Sequence, residues 1–242
     1  MNAIMGIHIA AGFIALVTGA MAVSSRKGGP AHASAGIWFG GSMLVLGATA
    51  SILGPFKVPP DSVVGGLLVC YFVATSWMTA RRRDGKAGLF EKVACVAVTL
   101  CAAATIGEGV AAMSAPPGEI PGPAALFAFA GICLLAGFGD LIFILRGRLS
   151  AKQRMSRHLW RMLLAFFIAT GSFFIGQQDI MPEFMRGSPF LFVLGFSPFA
   201  IMAYWLVRLR FPKAIGKLTL RKPLAAAAGA RASSTARLET EM

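Results

Sequence analysis

The chain alternates between long apolar stretches and short polar ones, and this alternation predicts its secondary structure. Each apolar stretch holds about 20 residues, enough for a helix to cross about 30 Å of hydrocarbon. The seven stretches cover residues 4–23, 34–53, 62–80, 93–112, 124–145, 162–179 and 190–207. The two-residue alternation typical of membrane strands is absent from them. The pattern therefore predicts an all-α fold, a bundle of seven transmembrane helices.

The polar segments between the stretches predict how the bundle is oriented. Of the 23 Lys and Arg residues, 21 lie in the even-numbered polar segments, counted from the N-terminus. The odd-numbered segments hold only Lys57 and Arg186. Short loops rich in Lys and Arg stay in the cytoplasm, so the N-terminus is predicted outside and the C-terminus inside.

The composition changes after the last apolar stretch, which predicts a domain boundary. Residues 213–222 are basic, and the following residues are mostly Ala, Gly, Ser and Thr. Such a segment cannot bury enough apolar surface to fold. We therefore predict a seven-span membrane domain over 1–212 and a basic, largely disordered cytoplasmic tail over 213–242.

Composition and charge narrow the class of protein. The chain is 56% hydrophobic and 14% charged, whereas soluble domains carry about 25% charged residues. The net charge of +13 lies in loops beside the membrane, so anionic lipid headgroups are the expected partner and nucleic acid is not. The sequence has no phosphate loop, dinucleotide fingerprint or nucleophile elbow, and no metal-binding cysteine pairs. It therefore offers no catalytic residue or metal site, and an enzyme is not expected.

Polar residues near the outer ends of the apolar stretches suggest a pocket. His8, Glu108 and the pair Gln177 and Gln178 are predicted at one depth, within about 6 Å of the outer interface. A carboxylate beside an imidazole can hold a proton or bind a cation. The alternative is that each side chain reaches the headgroups by itself.

An acidic residue in the fifth stretch requires a positively charged partner. Asp140 lies about five residues from the predicted inner end of that span, and Arg161 begins the next span. A buried carboxylate is stabilised by a cation, so we predict a structural ion pair between the two. A proton or ion relay at Asp140 is the alternative.

Two histidines are predicted at the inner face. His32 and His158 each come just before or at the start of a returning helix. Two histidines at one depth on two helices could be the axial ligands of a haem. They could equally be ordinary interfacial residues.

Residues 8–51 resemble a family of uncharacterised bacterial multi-pass inner-membrane proteins. The resemblance is carried by the segment 8–16, by Gly19, by Arg26-Lys27-Gly28, and by His32 and Gly36. The run 157–162 is similar to the closing hairpin of the same family. The resemblance implies a location in the bacterial inner membrane and no established activity.

These observations leave three functions open. The leading hypothesis is an integral inner-membrane protein that binds or transports a small molecule or ion through the outward-facing pocket. The first alternative is a haem-binding redox protein that uses His32 and His158. The second is an accessory or assembly subunit whose helices contact an unknown protein partner in a membrane complex.

The charge pattern makes a direct prediction about topology. A reporter fused after Gly88 or after Gly147 is expected to score as cytoplasmic, and one fused after Gly118 as periplasmic, because basic loops stay inside. Paired reporters that are active on opposite sides of the membrane measure this. A periplasmic signal from the Gly88 fusion would overturn the orientation.

Overall fold

The structure, a computed structural model, describes residues 1–56, 63–114 and 122–211, and this part of the chain forms seven α-helices. The polar breaks in the sequence coincide with the helix ends except at the sixth helix. Prolines open α2 and α5, where a missing backbone N–H costs nothing. The helices are α1 Asn2–Ser24, α2 Pro30–Leu53, α3 Val63–Arg81, α4 Leu89–Ala112, α5 Pro123–Arg146, α6 Ala151–Phe174 and α7 Pro189–Arg210. The chain divides into two compact units, and the second begins at Val207, within α7. The predicted tail over 213–242 lies outside the described residues.

Six of these helices are long and apolar enough to cross a membrane: all except α6. The described part of the chain is therefore that of an all-helical, multi-pass membrane protein. The helix α6 differs because four basic residues occupy its first eleven positions. They are Lys152, Arg154, Arg157 and Arg161.

The boundaries of α6 differ from the sequence prediction at both ends. The helix begins at Ala151, eleven residues before the predicted start at Met162, because Ser150 and Gln153 form a reciprocal capping box. The Gln153 backbone N–H donates to the Ser150 hydroxyl, and the Ser150 N–H donates to the Gln153 side chain. At the other end α6 stops at Phe174, so Gln177 and Gln178 lie beyond it.

Four helices close into a ring. The helix α1 packs on α2, α2 on α3, α3 on α6, and α6 on α1, so that α2 and α6 face each other across the ring. Phe39 of α2 and Phe166 of α6 meet edge to face inside it, with ring centroids 5.5 Å apart. The α4–α5 hairpin packs against the outside of the ring through α3.

Glycines allow the closest approach between two of the ring helices. A Cβ added at Gly66 of α3 would clash with the Gly47 carbonyl oxygen and the Ser51 hydroxyl of α2. A Cβ added at Gly47 would lie 2.7 Å from the Gly66 carbonyl oxygen. The hydrophobic effect does not drive helices together inside a membrane. Small residues of this kind stabilise the helix pair by allowing close van der Waals contact.

A proline inside α7 is accommodated by its neighbour. Pro198 has no backbone N–H, which leaves the carbonyl of Leu194 without its helical donor. The Ser197 hydroxyl donates to that carbonyl at 2.9 Å. In lipid every backbone polar group has to be satisfied internally, and this bond meets that requirement.

The glycine contact predicts a difference between two adjacent substitutions. Gly66→Ala is expected to destabilise the protein by about 1–3 kcal/mol, because the methyl group meets the α2 backbone. Gly65→Ala is the matched control, since a Cβ there has nothing within 4 Å. Unfolding by a denaturing detergent, followed by circular dichroism, measures both, and equal losses for the two variants would contradict the contact.

Candidate functional site

A buried charged cluster joins three of the helices. Asp140 of α5 and Arg161 of α6 are completely buried, and Arg157 of α6 is nearly so. Arg157 Nη1 and Arg161 Nη2 each donate to Asp140 Oδ1 at 2.5 Å. The Tyr71 hydroxyl of α3 donates to Asp140 Oδ2 at 2.7 Å.

The surroundings of the two guanidinium groups stabilise them further. Arg157 Nε donates to the Thr79 hydroxyl at 3.0 Å. The guanidinium of Arg161 lies over the rings of Tyr71 and Trp160, 5.1 and 5.2 Å from their centroids. Such cation–π contacts are strongest when the cation is removed from water. The two Arg, Asp140 and Tyr71 together carry one net positive charge.

The sequence predicts that Asp140 pairs with Arg161 alone, and the structure shows two further partners of Asp140. Arg157 was missed, although it precedes Arg161 by four residues and therefore shares its helix face. Tyr71 could not have been found from spacing, because it lies 69 residues from Asp140. The site is an ion cluster rather than a single pair.

His158 lies one residue after Arg157 and faces α3. Its Nδ1 is 3.0 Å from the Ser76 hydroxyl oxygen. That hydroxyl gives its own hydrogen to the His158 carbonyl at 2.9 Å, so it accepts from the ring. Nδ1 therefore carries the proton, and the lone pair of the neutral imidazole is on Nε2.

His32 is held in the same tautomer at the start of α2. Its Nδ1 is 3.0 Å from the Ala22 carbonyl oxygen, which can only accept a hydrogen bond. Lys27 Nζ donates to the same carbonyl at 3.2 Å and lies 5.6 Å from the centroid of the Trp205 ring. Partial burial lowers the pKa of Lys27. The α1–α2 turn thus fixes the His32 ring from one side.

The two imidazoles belong to one place in the fold. His32 and His158 lie on the two helices that face each other across the ring, at the end where α1 and α3 finish. Within the described residues, hydrogen bonds engage only Nδ1 of each ring. The arrangement offers two Nε2 lone pairs in one region of the bundle.

This geometry suits a metal centre that takes two ligands from the protein. Histidines that bind metals usually donate the other ring N–H to a carbonyl or hydroxyl, which fixes the tautomer and raises ligand basicity. Among the described residues no three His, Cys, Asp or Glu side chains are grouped to hold a metal ion. Haem iron needs only two axial ligands, whereas a zinc ion takes three or four from the protein.

The residues of the predicted outer pocket lie on separate parts of the fold. His8 Nδ1 is 2.9 Å from the Thr49 hydroxyl, between α1 and α2. Glu108 lies on α4, which packs on α5 and α3. Gln178 donates to the Phe174 carbonyl and accepts from the Gly187 N–H, and Gln177 is exposed in the loop after α6. A shared pocket of these residues stays a prediction.

Comparison with known proteins assigns no family to the chain. Models of protein families, curated proteins and solved structures were all compared with it, and none matches. Function is therefore inferred from the residues and their geometry alone.

The ion cluster predicts unequal effects for its members. Asp140→Asn is expected to cost about 3–5 kcal/mol, because it leaves two buried guanidinium groups without a carboxylate. Arg161→Gln should cost less, since Asp140 and Arg157 then remain as a neutral pair. The double variant should recover part of the Asp140→Asn loss. Unfolding in detergent measures all three, and equal, additive losses from the two single changes would refute the cluster as described.

Proposed function

We propose that this chain is a haem-binding redox protein of the bacterial inner membrane, with His32 and His158 as axial ligands. Its N-terminus lies outside and its C-terminus in the cytoplasm, as the distribution of basic loops suggests. The resemblance of residues 8–51 to a family of inner-membrane proteins supports the location. His32 of α2 and His158 of α6 would then hold the haem near the cytoplasmic side.

One observation carries the proposal: both histidines are held as the Nδ1–H tautomer. A carbonyl fixes His32 and a hydroxyl fixes His158. An interfacial histidine that merely contacts headgroups has no need of a fixed tautomer. Two such rings, on helices that face each other, supply what a haem iron requires of a helical bundle.

The rest of the chain limits the type of haem. The four cysteines, at positions 70, 95, 101 and 133, form no Cys-x-x-Cys-His motif. Covalent attachment through that motif is therefore ruled out, and the haem is held by its ligands and by packing. His32 and His158 would both be used to hold the iron, which would leave it no open site for a substrate. That coordination favours electron transfer over oxygen binding or activation.

Hydrogen bonding to the ligands would also tune the centre. The Ser76 hydroxyl and the Ala22 carbonyl each accept the Nδ1–H of a histidine ring. These hydrogen bonds raise the electron density of the rings and would make each Nε2 a stronger electron donor to the iron. A stronger donor stabilises ferric over ferrous iron. The residues of the chain would thereby lower the reduction potential of the bound haem.

The absorption spectrum tests the proposal. The full chain, produced with haem supplied and purified in a mild detergent, is expected to be red, with a Soret band and one haem per chain. His32→Ala and His158→Ala should each abolish the low-spin, bis-histidine spectrum. His8→Ala is the matched control, because His8 lies at the opposite end of the bundle, and it should leave the spectrum unchanged.

A second variant separates ligation from folding. Ser76→Ala should retain haem and shift its midpoint potential to a more positive value, since the hydroxyl no longer accepts from His158. A colourless wild-type protein, folded by circular dichroism, would end the haem proposal. If that colourless protein retained another membrane protein on purification, the accessory-subunit hypothesis would lead.

A further inference from the structure

Two loops at the end of the bundle that holds His32 and His158 are joined into one surface. They are the α3–α4 loop, residues 82–88, and the α5–α6 loop, residues 147–150. The Ala87 N–H donates to the Gly147 carbonyl at 3.0 Å, and the Leu149 N–H donates to the Gly85 carbonyl at 2.9 Å. Lys86 and Arg148 form the antiparallel bridge between them. We call this surface the double-loop platform.

Side chains and one glycine fix the platform further. Arg148 Nε donates to the Asp84 carbonyl at 3.0 Å, and Arg154 Nη1 donates to the Arg83 carbonyl at 2.7 Å. Gly85 has a φ of 68°, and a Cβ there would lie 2.6 Å from the Leu149 carbonyl oxygen. Only glycine fits this position without strain. The two loops therefore depend on each other for their shape.

The platform concentrates positive charge that the fold leaves exposed. Its exposed cations and those of the adjoining helix ends are Arg81, Arg83, Lys86, Arg146, Arg148 and Lys152. Asp84 is the exposed acidic residue among them. Glu91 is buried and forms an ion pair with Arg82, whose Nη1 lies 2.6 Å from Glu91 Oε2. It therefore does not offset the exposed charges.

The neighbouring basic loop, between α1 and α2, has fewer exposed cations. Its Lys27 donates to the carbonyls of Ala22, Val23 and Ser25, which closes the end of α1. Arg26 is its remaining basic side chain and is exposed. Among the loops that the structure describes, the platform thus holds the larger group of outward-facing cations.

We propose that the double-loop platform binds the headgroup of an anionic phospholipid. The platform lies where α3, α4 and α5, three helices apolar enough to cross a membrane, begin or end. In a bilayer, this position would place it at the level of the lipid headgroups. A phosphate on a chain anchored in that leaflet meets the cations without leaving the membrane, and polybasic segments at this level attract anionic lipids. The inference does not depend on haem, because the platform and the histidines share no side chain.

Charge substitution tests the site directly. A fluorescent phosphatidylglycerol is titrated into the full chain in a neutral detergent, with a phosphatidylcholine analogue as the comparison. Lys86→Gln with Arg83→Gln, which removes two exposed side chains that do not fix the loops, should weaken phosphatidylglycerol binding by roughly 25-fold, since each cation near the surface contributes about 1 kcal/mol, or roughly 5-fold. Arg26→Gln with Arg210→Gln, the charge-matched control on exposed residues elsewhere, should weaken it by less than about 3-fold.

A change that leaves the charge intact tests the shape of the platform. Gly85→Ala should reduce phosphatidylglycerol binding, because the methyl group forces the two loops apart. Gly28→Ala is the matched control: Gly28 also has a positive φ, of 78°, but a Cβ there meets nothing within 4 Å. Circular dichroism in phosphatidylcholine establishes that each variant is folded before binding is compared.

Three results would overturn the proposal. The first is equal affinity for phosphatidylglycerol and phosphatidylcholine. The second is equal weakening by the platform pair and by the control pair, which would mean that net charge alone attracts the lipid. The third is displacement of the lipid by glycerol phosphate at the same concentration, which would identify a site for free phosphate instead.

Discussion

The buried contact between Asp140 and two arginines is the constraint on which the charged end of the bundle depends. A carboxylate and two guanidinium groups removed from water stabilise one another, and loss of the carboxylate would leave both cations buried without a counter-charge. Because Asp140 belongs to α5 and the arginines to α6, the contact fixes the rotation of α6 about its axis. His158 follows Arg157 by about 100° around that axis, so the same contact turns it toward Ser76 of α3.

The cluster also explains how a helix with four basic residues packs among six helices that are apolar enough to cross a membrane. Hydropathy alone does not select α6 as a span. Arg157 and Arg161 are neutralised in part by Asp140 and covered by aromatic rings, while Arg154 reaches the Arg83 carbonyl of the neighbouring loop. The helix thus buries its arginines against α3 and α5 and leaves its second half apolar. Intramembrane charges are tolerated where they face the interior of a bundle in this way.

The sequence predicted the helices better than the contacts between their side chains. Helix ends follow from Pro, Gly and charge, which act locally, and the starts of α2, α5 and α7 lie within four residues of their predicted positions. The early start of α6 was also encoded, as the Ser150-x-x-Gln153 capping box, but the basic residues after it suggested a loop. Tyr71 and Ser76 could not be assigned, since their partners lie 69 and 82 residues away and depend on how α3 packs.

The bond that holds His32 is compatible both with a structural role and with a role as a metal ligand. A purely structural histidine would donate Nδ1–H to the Ala22 carbonyl, which closes the last turn of α1. A ligand histidine makes the same bond, because it leaves the lone pair on Nε2. A structural role for His32 gives no reason for a second imidazole on the facing helix that is also fixed as the Nδ1–H tautomer. His158 is such an imidazole. The Ser76 hydroxyl donates its hydrogen to the His158 carbonyl and therefore accepts the Nδ1–H of the His158 ring. Two histidines fixed independently in the same tautomer support the proposed metal centre.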